Sequence, residues 1–399
     1  MQKRLLILAA GILQVPVIKK AQEMGCYVIA VDGDSNAVGL KYADKAIVAN
    51  ITDETAMLQV ACDEKVDGVI HPCSEVSMNV MGYINDSLGL SGISKSMAWK
   101  ATNKHLMREA FAKYGAPSPT SYCTIDADEA WNIFCDKFDT NAILKPSRTS
   151  GSRGIAKIER GISQEEFSRL YGRAYNESRD KQVLIEQFIE GPEFSVEIII
   201  WKGNVNVLAI TDKKTTGAPY FVELGHNQPS LYHQDIIEKV KVAAVSGVEA
   251  LELSNCACHA EIKVENNEAY IMEIGARLGG DFISTELTHL STGIDMVAAA
   301  INVALGIDPD LKPKKQKQGV CIRYFCPQPG HLASISGLEN LNDEHVYMFE
   351  IHCKEGDEIN EVKSSLDRCG HMIVTAQDSY KAIEIAENLI GKIKFEINK

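Results

Sequence analysis

The stretch "CACHAEIKVENNEAYIMEIGAR", residues 256–277, carries the pattern that decides the fold. Polar and apolar residues alternate on both sides of "ENNE", which is typical of two strands joined in a β-hairpin. In the first strand the alternation puts both cysteines, Ala260 and Ile262 on an apolar face, and His259 and Glu261 on the other. We therefore interpret the cysteines as core residues and not, together with His259, as zinc ligands.

The second strand of this hairpin predicts a metal site. Alternation places Tyr270 and Met272 on the core side, and Glu273 and Arg277 on the other side with Ile271. If the turn is a three-residue loop, residues 266–268, Glu261 lies directly opposite Glu273, where like charges destabilise a sheet unless a cation such as Mg²⁺ binds between them. A two-residue turn would instead put these carboxylates on opposite faces, as solvated acids.

Composition narrows the classes of function. The chain has 399 residues, 45% hydrophobic and 24% charged, and its net charge of -13 argues against a nucleic-acid partner. The start, "MQKRLLILAAG", reads as a first strand, and no apolar run approaches the ~20 residues of a membrane span, so we expect no membrane partner. Eleven cysteines without framework spacing fit reduced thiols and a cytoplasmic location.

The order of predicted elements changes along the chain. The first ~100 residues alternate strand and helix, which indicates a parallel sheet. Their first turn, "AAGILQ", has one glycine and lacks the dinucleotide fingerprint G-x-G-x-x-G, so we do not expect NAD. After a polar linker, "DPDLKPKKQKQ", the last ~85 residues read as a small α+β unit.

A lysine before a flexible loop is a candidate phosphate site. In "AILKPSRTSGSRG", residues 142–154, Lys145 ends an apolar strand, and the small residues after it allow backbone N–H groups to converge on phosphate oxygens. The lysine precedes the glycines, so the stretch is not a Walker A loop. Lys104, near a helix start, is a second candidate phosphate contact. The alternatives are an ordinary connection and a surface lysine.

The stretch "VLIEQFIEGPEFSVE", residues 183–197, is a candidate nucleoside site. A strand edge exposes backbone groups that can bind an adenine, and a carboxylate can accept hydrogen bonds from ribose hydroxyls. The alternative is a solvated acidic turn. Cys73 in "HPCSE" is interpreted as structural and not as a nucleophile.

In this order, the three features resemble the ATP-grasp superfamily of ATP-dependent ligases. The resemblance covers nearly the whole chain and implies a mixed α/β and α+β fold. It divides the chain into a Rossmann-like pre-ATP-grasp domain with a parallel sheet (1–100), a two-lobed ATP-grasp domain (101–310, with a mobile lid subdomain at about 118–188) and a small C-terminal α+β domain (311–399). Such a C-terminal domain occurs in the biotin carboxylase and phosphoribosylglycinamide synthetase branches.

The resemblance also implies roles for individual residues. The ATP contacts it implies are Lys104, Lys145, Ser147, Ser150, Gly151, Ser152 and Gly154 for phosphates, Glu186, Gln187 and Ile189 for adenine, and Glu193 for ribose. Glu261 and Glu273 are the implied Mg²⁺ ligands, with Mn²⁺ as a substitute, and His259 and Arg277 the implied catalytic residues. Gly275 stands where the family has asparagine, which leaves one or two metal ions open.

The resemblance implies a carboxylate–amine ligase that forms an acyl phosphate and releases ADP and phosphate. "TTGAPYFVELGHNQPS", residues 215–230, resembles a substrate segment of the amino-acid ligase branch, although an ordinary surface loop is the alternative. The substrate candidates are Ser74, Glu75, Glu223, His226, Ser230, Arg277, Gly279 and Gly280. Expected partners are a small-molecule carboxylate, an amine and a second copy of the chain as a homodimer. The alternatives are a purine-pathway phosphoribosylglycinamide synthetase or a carbamoyl-phosphate-synthase-like ligase, and, from another class, a non-catalytic nucleotide-binding regulatory protein.

Overall fold

The structure is a computed structural model that describes residues 2–149, 151 and 153–398. Two of the predicted phosphate contacts, Ser150 and Ser152, lie outside the described residues.

The N-terminal part is a parallel sheet covered by helices, as predicted. Its elements are β1 (Arg4–Leu8), α1 (Val15–Glu23), β2 (Tyr27–Asp32), β3 (Lys45–Val48), α2 (Glu54–Asp63), β4 (Gly68–Ile70), α3 (Met78–Leu88) and α4 (Lys95–Ala101). The strand order is β3-β2-β1-β4, with β1 pairing parallel to both neighbours. Because β1 lies between two strands and is covered on both faces, residues 5–8 are fully buried.

A smaller antiparallel unit follows helix α5 (Lys104–Tyr114), which the Asn103 side chain caps. Its elements are β5 (Ser121–Thr124), α6 (Ala127–Lys137), β6 (Ala142–Pro146), β7 (Ala156–Ile158), α7 (Gln164–Glu177) and β8 (Val183–Gln187). The sheet order is β5-β8-β6-β7. Phe134 of α6 stacks on Phe167 of α7 at 5.6 Å between ring centroids, within a core that belongs to this unit alone.

The remaining chain builds two further sheets. Its first elements are β9 (Glu193–Trp201), β10 (Asn204–Thr215), β11 (Glu223–Gln228), α8 (Gln234–Ala250), β12 (Cys256–Glu265), β13 (Glu268–Gly275), α9 (Thr288–Thr292) and α10 (Met296–Ala304). A π-helical turn (Ile283–Leu287) precedes α9. The C-terminal elements are β14 (Gly319–Tyr324), β15 (Gly330–Ser336), β16 (Val346–Ile351), β17 (Glu358–Ile359), β18 (Gly370–Ala376), α11 (Ser379–Lys392) and β19 (Lys394–Asn398).

One sheet crosses the predicted boundary at residues 310 and 311. It has eight strands in the order β13-β12-β9-β10-β11-β14-β18-β16, so three C-terminal strands extend the sheet of the preceding part. Strands β17, β15 and β19 form a separate small sheet. The C-terminal part is therefore α+β, as expected, but it shares its main sheet with residues before the boundary.

The hairpin of β12 and β13 has a shorter turn than predicted. Its turn residues are Asn266 and Asn267, with φ of 51° and 65°, and Glu265 pairs directly with Glu268. This is the two-residue type that matches the twist of the flanking strands. The predicted three-residue loop is therefore wrong.

A β-bulge restores the pairing that the longer turn was expected to produce. Ile262 pairs with Ile271, and the next pair is Glu261 with Glu273, which leaves Met272 as the extra residue. Each side of the bulge keeps its own alternation, so Ile271 faces the core although the uninterrupted pattern put it on the cleft side. The predicted opposition of the two glutamates is confirmed, and the predicted faces of residues 269–272 are wrong.

Candidate active site

A cleft of about 300 Å³ lies between the small unit and the eight-stranded sheet. The predicted site residues that line it are Glu75, Lys104, Lys145, Gly151, Gln187, Ile189, Glu193, Glu223, His226, His259, Glu261, Glu273, Arg277 and Gly280. Six others lie outside its lining: Ser74, Ser147, Gly154, Glu186, Ser230 and Gly279. Most of the predicted residues are therefore brought to one cavity from seven separate stretches of chain.

Two lysines balance the opposed glutamates. Lys104 Nζ lies 2.7 Å from Glu273 Oε1, and Lys213 Nζ lies 3.0 Å from Glu261 Oε1. Burial, together with the charges of Glu75 and Glu261, raises the pKa of Glu273 despite the nearby Lys104. Burial also opposes ionisation of Glu261, but Lys213 and His259 lower its pKa well below the usual range. The pair thus presents negative charge beside compensating cations.

Lys213 was missed by the sequence analysis. It lies on β10, and its Nζ is 2.6 Å from Glu193 Oε1 and 3.7 Å from Glu223 Oε1 as well as near Glu261. In the sequence Lys213 is followed by Lys214, and two adjacent lysines on a strand look like part of a solvent-exposed strand. Only its pairing with Glu193 could have identified Lys213. That pair joins the far ends of strands β9 and β10, where the register cannot be read from neighbouring residues.

Glu186, predicted near adenine, is fully buried behind the cleft. Arg108 donates to both of its carboxylate oxygens, at 2.6 and 3.1 Å, and Lys145 Nζ lies 2.8 Å away. Burial opposes ionisation, but these two cations outweigh it and lower the pKa of Glu186 to about 2. Glu186 thus holds Lys145 in place instead of contacting a ligand.

Arg108, also missed from sequence, links this ion pair to the bulge. Its Nη2 donates to the Met272 carbonyl oxygen at 2.8 Å. A bulge leaves its extra residue out of the regular ladder, and Arg108 satisfies that carbonyl. The same side chain therefore positions Lys145 on one wall of the cleft and Glu273 on the other.

One end of the cleft is apolar. Ile143, Phe188, Ile189 and Met272 line it, and the Ile189 carbonyl accepts a hydrogen bond from Lys263 Nζ at 2.8 Å. Apolar side chains with a few polar groups are usual in a pocket for a flat organic ring.

His259 is held as a cation at the floor of the cleft. Its Nδ1 is hydrogen-bonded to Glu197, whose other oxygen accepts from the Ser284 hydroxyl. Burial disfavours the charged ring, but Glu197 outweighs it and raises the pKa of His259 to about 9. A Cβ on Gly279 would lie 2.6 Å from His259 Nδ1, so this predicted substrate residue instead makes room for the imidazole.

Arg277 reaches across to the N-terminal part. Its Nη2 lies 3.2 Å from Glu75 Oε1, while its Nε is buried without a hydrogen-bond partner among the described residues. The side chain covers Gly275, where an added Cβ would come within 3.3 Å of it. Gly275 therefore makes room for Arg277, whose guanidinium retains free donors.

Ser147 and Ser230, two predicted contacts, point elsewhere. The Ser147 hydroxyl donates to Asn103 Oδ1 at 3.1 Å, and the Ser230 hydroxyl donates to Asp212.

Cys73 contacts the cleft floor. Its thiol donates a hydrogen bond to the Gly279 carbonyl oxygen at 3.3 Å, and burial raises the pKa of the thiol to about 12. A thiol with so high a pKa is a poor nucleophile, which agrees with its structural interpretation.

The C-terminal part completes the far end of the cleft. Arg368 donates to both oxygens of Asp281, at 2.8 and 2.9 Å, and stacks 3.7 Å from the Tyr324 ring centroid. His226 Nε2 lies 3.5 Å from the same carboxylate. Asp281 and Arg368 were missed because the partners are 87 residues apart in the chain.

The described residues contain no helix that is long and apolar enough to cross a membrane. All eleven cysteines are free.

Comparison with known proteins connects this geometry to families. Residues 138–286 match the ATP-grasp domain, and residues 323–398 match the L-amino acid ligase C-terminal domain 2. The alanine–anticapsin ligase of Bacillus subtilis (strain 168) is 29% identical over 259 residues, which cover 60% of this chain and 54% of that protein. The chain thus spans about half the length of the curated relatives it first matches.

Two solved structures share the whole fold. Phosphoribosylglycinamide synthetase from Anaerococcus prevotii has a TM-score of 0.80 at 26% identity, covering 100% of both chains. L-amino acid ligase from Bacillus licheniformis has a TM-score of 0.83 at 19% identity, covering 100% of this chain and 99% of that one. Residues 138–286 of this chain therefore form an ATP-grasp domain, and residues 323–398 form an L-amino acid ligase C-terminal domain.

Proposed function

We propose that the protein is an ATP-dependent ligase that activates a small-molecule carboxylate and couples it to an amine. The observation that carries the proposal is the line of charges across the cleft: Lys104 and Lys213 flank the opposed Glu261 and Glu273, and Arg277 lies beyond them. The carboxylates suit a divalent cation, and the lysines suit phosphate oxygens. A regulatory nucleotide-binding protein would have no need of Arg277 beside the phosphate end.

The cleft residues divide into three groups along its length. The apolar end formed by Ile143, Phe188 and Met272 receives the adenine, and Glu193 receives the ribose. Lys104, Lys145 and the loop that includes Gly151 hold the phosphates.

The opposed glutamates fit Mg²⁺, with Mn²⁺ as a substitute, because hard carboxylate oxygens converge from two paired strands. When bound, the cation neutralises phosphate charge.

The proposed reaction has two steps, phosphorylation of the carboxylate and attack by the amine. An oxygen of the substrate carboxylate, held by Arg277, attacks the γ-phosphorus of ATP, whose bond to the leaving oxygen breaks to release ADP. The amine nitrogen then attacks the acyl carbon, the carbon–oxygen bond to phosphate breaks, and the nitrogen loses a proton. Lys104, Lys145 and the His259 imidazolium hold negative charge on the transferred phosphate in both steps.

We infer that at least one substrate is an amino acid. The ligase C-terminal domain supports this, and so does the pairing of acidic and basic groups at the far end, where Glu75 lies against Arg277 and Asp281 against Arg368. An α-amino acid presents a cation and an anion in the same close arrangement. The second candidate is a purine-pathway reaction, because the phosphoribosylglycinamide synthetase from Anaerococcus prevotii is similar over its whole length.

A paired-substrate screen tests the proposal. We expect Mg²⁺-dependent release of phosphate and ADP only when an amino acid and a second amine or acid are both present. Phosphoribosylamine with glycine is the arm that detects the purine-pathway reaction. ATP turnover that no added pair raises above background would contradict a ligase and favour the regulatory class.

Glu273→Gln tests the metal assignment directly. The amide cannot supply the negative charge that a divalent cation requires, so we expect turnover to fall by at least about 100-fold. The matched control is Glu268→Gln, on the exposed first residue of the same strand. Circular dichroism should show both variants folded, and full activity of Glu273→Gln would refute the metal assignment.

Three further expectations remain proposals for experiment. Motion of the lid at residues 118–188 should appear as nucleotide-dependent protection from proteolysis. Sedimentation should detect the homodimer, and fractionation the cytoplasmic location.

A further inference from the structure

A second cluster of metal-ligating side chains lies on the C-terminal strands, outside the lining of the ATP cleft. Glu350 on β16 pairs directly with His371 on β18, and His352 follows two residues after Glu350 on the same face. One ligand atom from each of the three lies within 4.8 Å of the others. His352 Nε2 is already 3.1 Å from Glu350 Oε2.

His371 is the anchor of this cluster and is unusual in its burial. The residue is 1% exposed, yet its Nε2 has no hydrogen-bond partner among the described residues. Its ring packs 4.4 Å from the Phe282 ring and 6.3 Å from the Tyr324 ring, measured between centroids. A buried polar group without a partner calls for an explanation, and a bound ion is one of the usual ones.

We propose that Glu350, His352 and His371 form a Zn²⁺ site with water as the fourth ligand. Two imidazoles and one carboxylate are a donor set that zinc accepts in a tetrahedral arrangement, whereas Mg²⁺ prefers oxygen alone. Zinc–ligand bonds of 2.0–2.1 Å bring ligand atoms to about 3.4 Å from one another. Glu350 and His352 can close that gap because their side chains are 58% and 53% exposed, while His371 stays fixed.

The site also adjoins the far end of the cleft. His371 packs on Phe282, which follows Asp281, the partner of Arg368. Zinc would thus connect the edge strand β16 to the segment that carries Asp281. The zinc site does not rest on the proposed ligase activity, since its ligands take no part in that reaction.

Calorimetric titration of the metal-free full chain with Zn²⁺, in excess Mg²⁺ to occupy the glutamates of the cleft, tests the proposal. We expect one Zn²⁺ per chain, and Glu350→Gln and His352→Gln should each weaken its binding at least about tenfold. Both residues are exposed, so neither variant threatens folding. His345→Gln, at an exposed His–Asp pair without a third ligand, should bind Zn²⁺ as the wild type does.

Substitution with Co²⁺ separates this site from the cysteines. Imidazole and carboxylate ligands should yield weak visible bands that His352→Gln removes, without the intense near-ultraviolet band of a cobalt–thiolate bond. No zinc binding by the wild type, binding unaffected by both variants, or a thiolate band would each overturn the proposal.

Discussion

Lys213 places one positive charge among three glutamates. It holds Glu193 and Glu261 at hydrogen-bond distance and has Glu223 within 3.7 Å. Without it, these carboxylates would repel one another in a half-buried cleft, where such repulsion is poorly screened. The side chain therefore orients the proposed ribose and metal ligands together.

Lys213→Met should preserve the aliphatic stem and remove the charge. We expect the affinity for Mg²⁺-ATP to fall at least about tenfold, equivalent to about 1.4 kcal/mol, because Glu193 and Glu261 lose the cation that they share. Isothermal titration calorimetry with Mg²⁺-ATP would measure this affinity. The adjacent Lys214→Met, at a half-exposed lysine paired with Glu387, is the control, and equal affinities of both variants would contradict this role.

His71 is a buried histidine that the fold keeps neutral. Its Nδ1 lies 2.7 Å from the Leu8 carbonyl, to which it must donate, and its Nε2 accepts from the Ser77 N–H at 3.2 Å. Burial lowers the pKa of His71 from 6.5 to about 4. Between these values the unfolded chain binds a proton that the folded chain does not, so stability present above pH 6.5 is lost as the pH falls toward 4.

This sign gives a stability prediction. From pH 6.5 to 5, His71 should cost the wild type about 1.6 kcal/mol of unfolding free energy, and His71→Gln, which does not titrate, should lack that loss. Urea unfolding at the two pH values measures it. His331→Gln, at an exposed histidine, should keep the wild-type dependence; an unchanged dependence in His71→Gln would refute the assignment.

At the scale of elements, the hairpin of β12 and β13 combines a short turn with a bulge. The turn alone would send Glu261 and Glu273 to opposite faces, and the bulge at Met272 returns them to one face. It also leaves Ile271 in the core. Because of the bulge, Ile271 and Ile274 of the same strand pack in the core, while Met272 and Glu273 between them line the cleft.

The turn geometry can be tested at Asn267, which is exposed with φ of 65°. Asn267→Val should destabilise the fold by about 1–2 kcal/mol, because a β-branched residue is strained in the left-handed region, whereas Asn267→Gly should be as stable as the wild type or slightly more so. Chemical denaturation of the three proteins measures this. Equal stability of the valine and glycine variants would contradict the two-residue turn.

At the scale of the whole molecule, the C-terminal part is structurally joined to the rest. Strand β14 pairs with β11, and Val320, Ile322 and Tyr324 share a core with Ile283 and Leu287. Removing this part would expose the edge of β11 and an apolar surface beside it.

A chain ending at residue 310 should therefore aggregate or lose its cooperative thermal transition. A full chain cleaved at an engineered protease site in the linker at residues 311–318 is the control, and it should stay associated and folded because the strands remain paired. Size-exclusion chromatography and thermal melts distinguish them. A monodisperse, cooperatively melting fragment would show that residue 310 ends an independent unit.

A site residue could be predicted from the sequence only where its pattern involves residues close to it in the chain. Lys145 was predicted because the end of a strand and a loop of small residues are visible in adjacent residues. The opposition of Glu261 and Glu273 was predicted from a three-residue turn that the hairpin lacks, and the bulge at Met272 produces it instead. Arg108, Lys213, Asp281 and Arg368 were missed because a charged residue on a helix or strand has the same local pattern whether it is solvated or paired.

The sequence by itself determined the parallel N-terminal sheet, the hairpin, and the position of Lys145 at a strand end, because backbone sterics and hydrophobic periodicity act over a few residues. Only the tertiary structure decided that Met272 forms a bulge, that Glu186 turns inward to Lys145, and that β14 completes the sheet beside β11. These features depend on partners distant in the chain, whose charges and hydrogen bonds take effect only when folding excludes water between them.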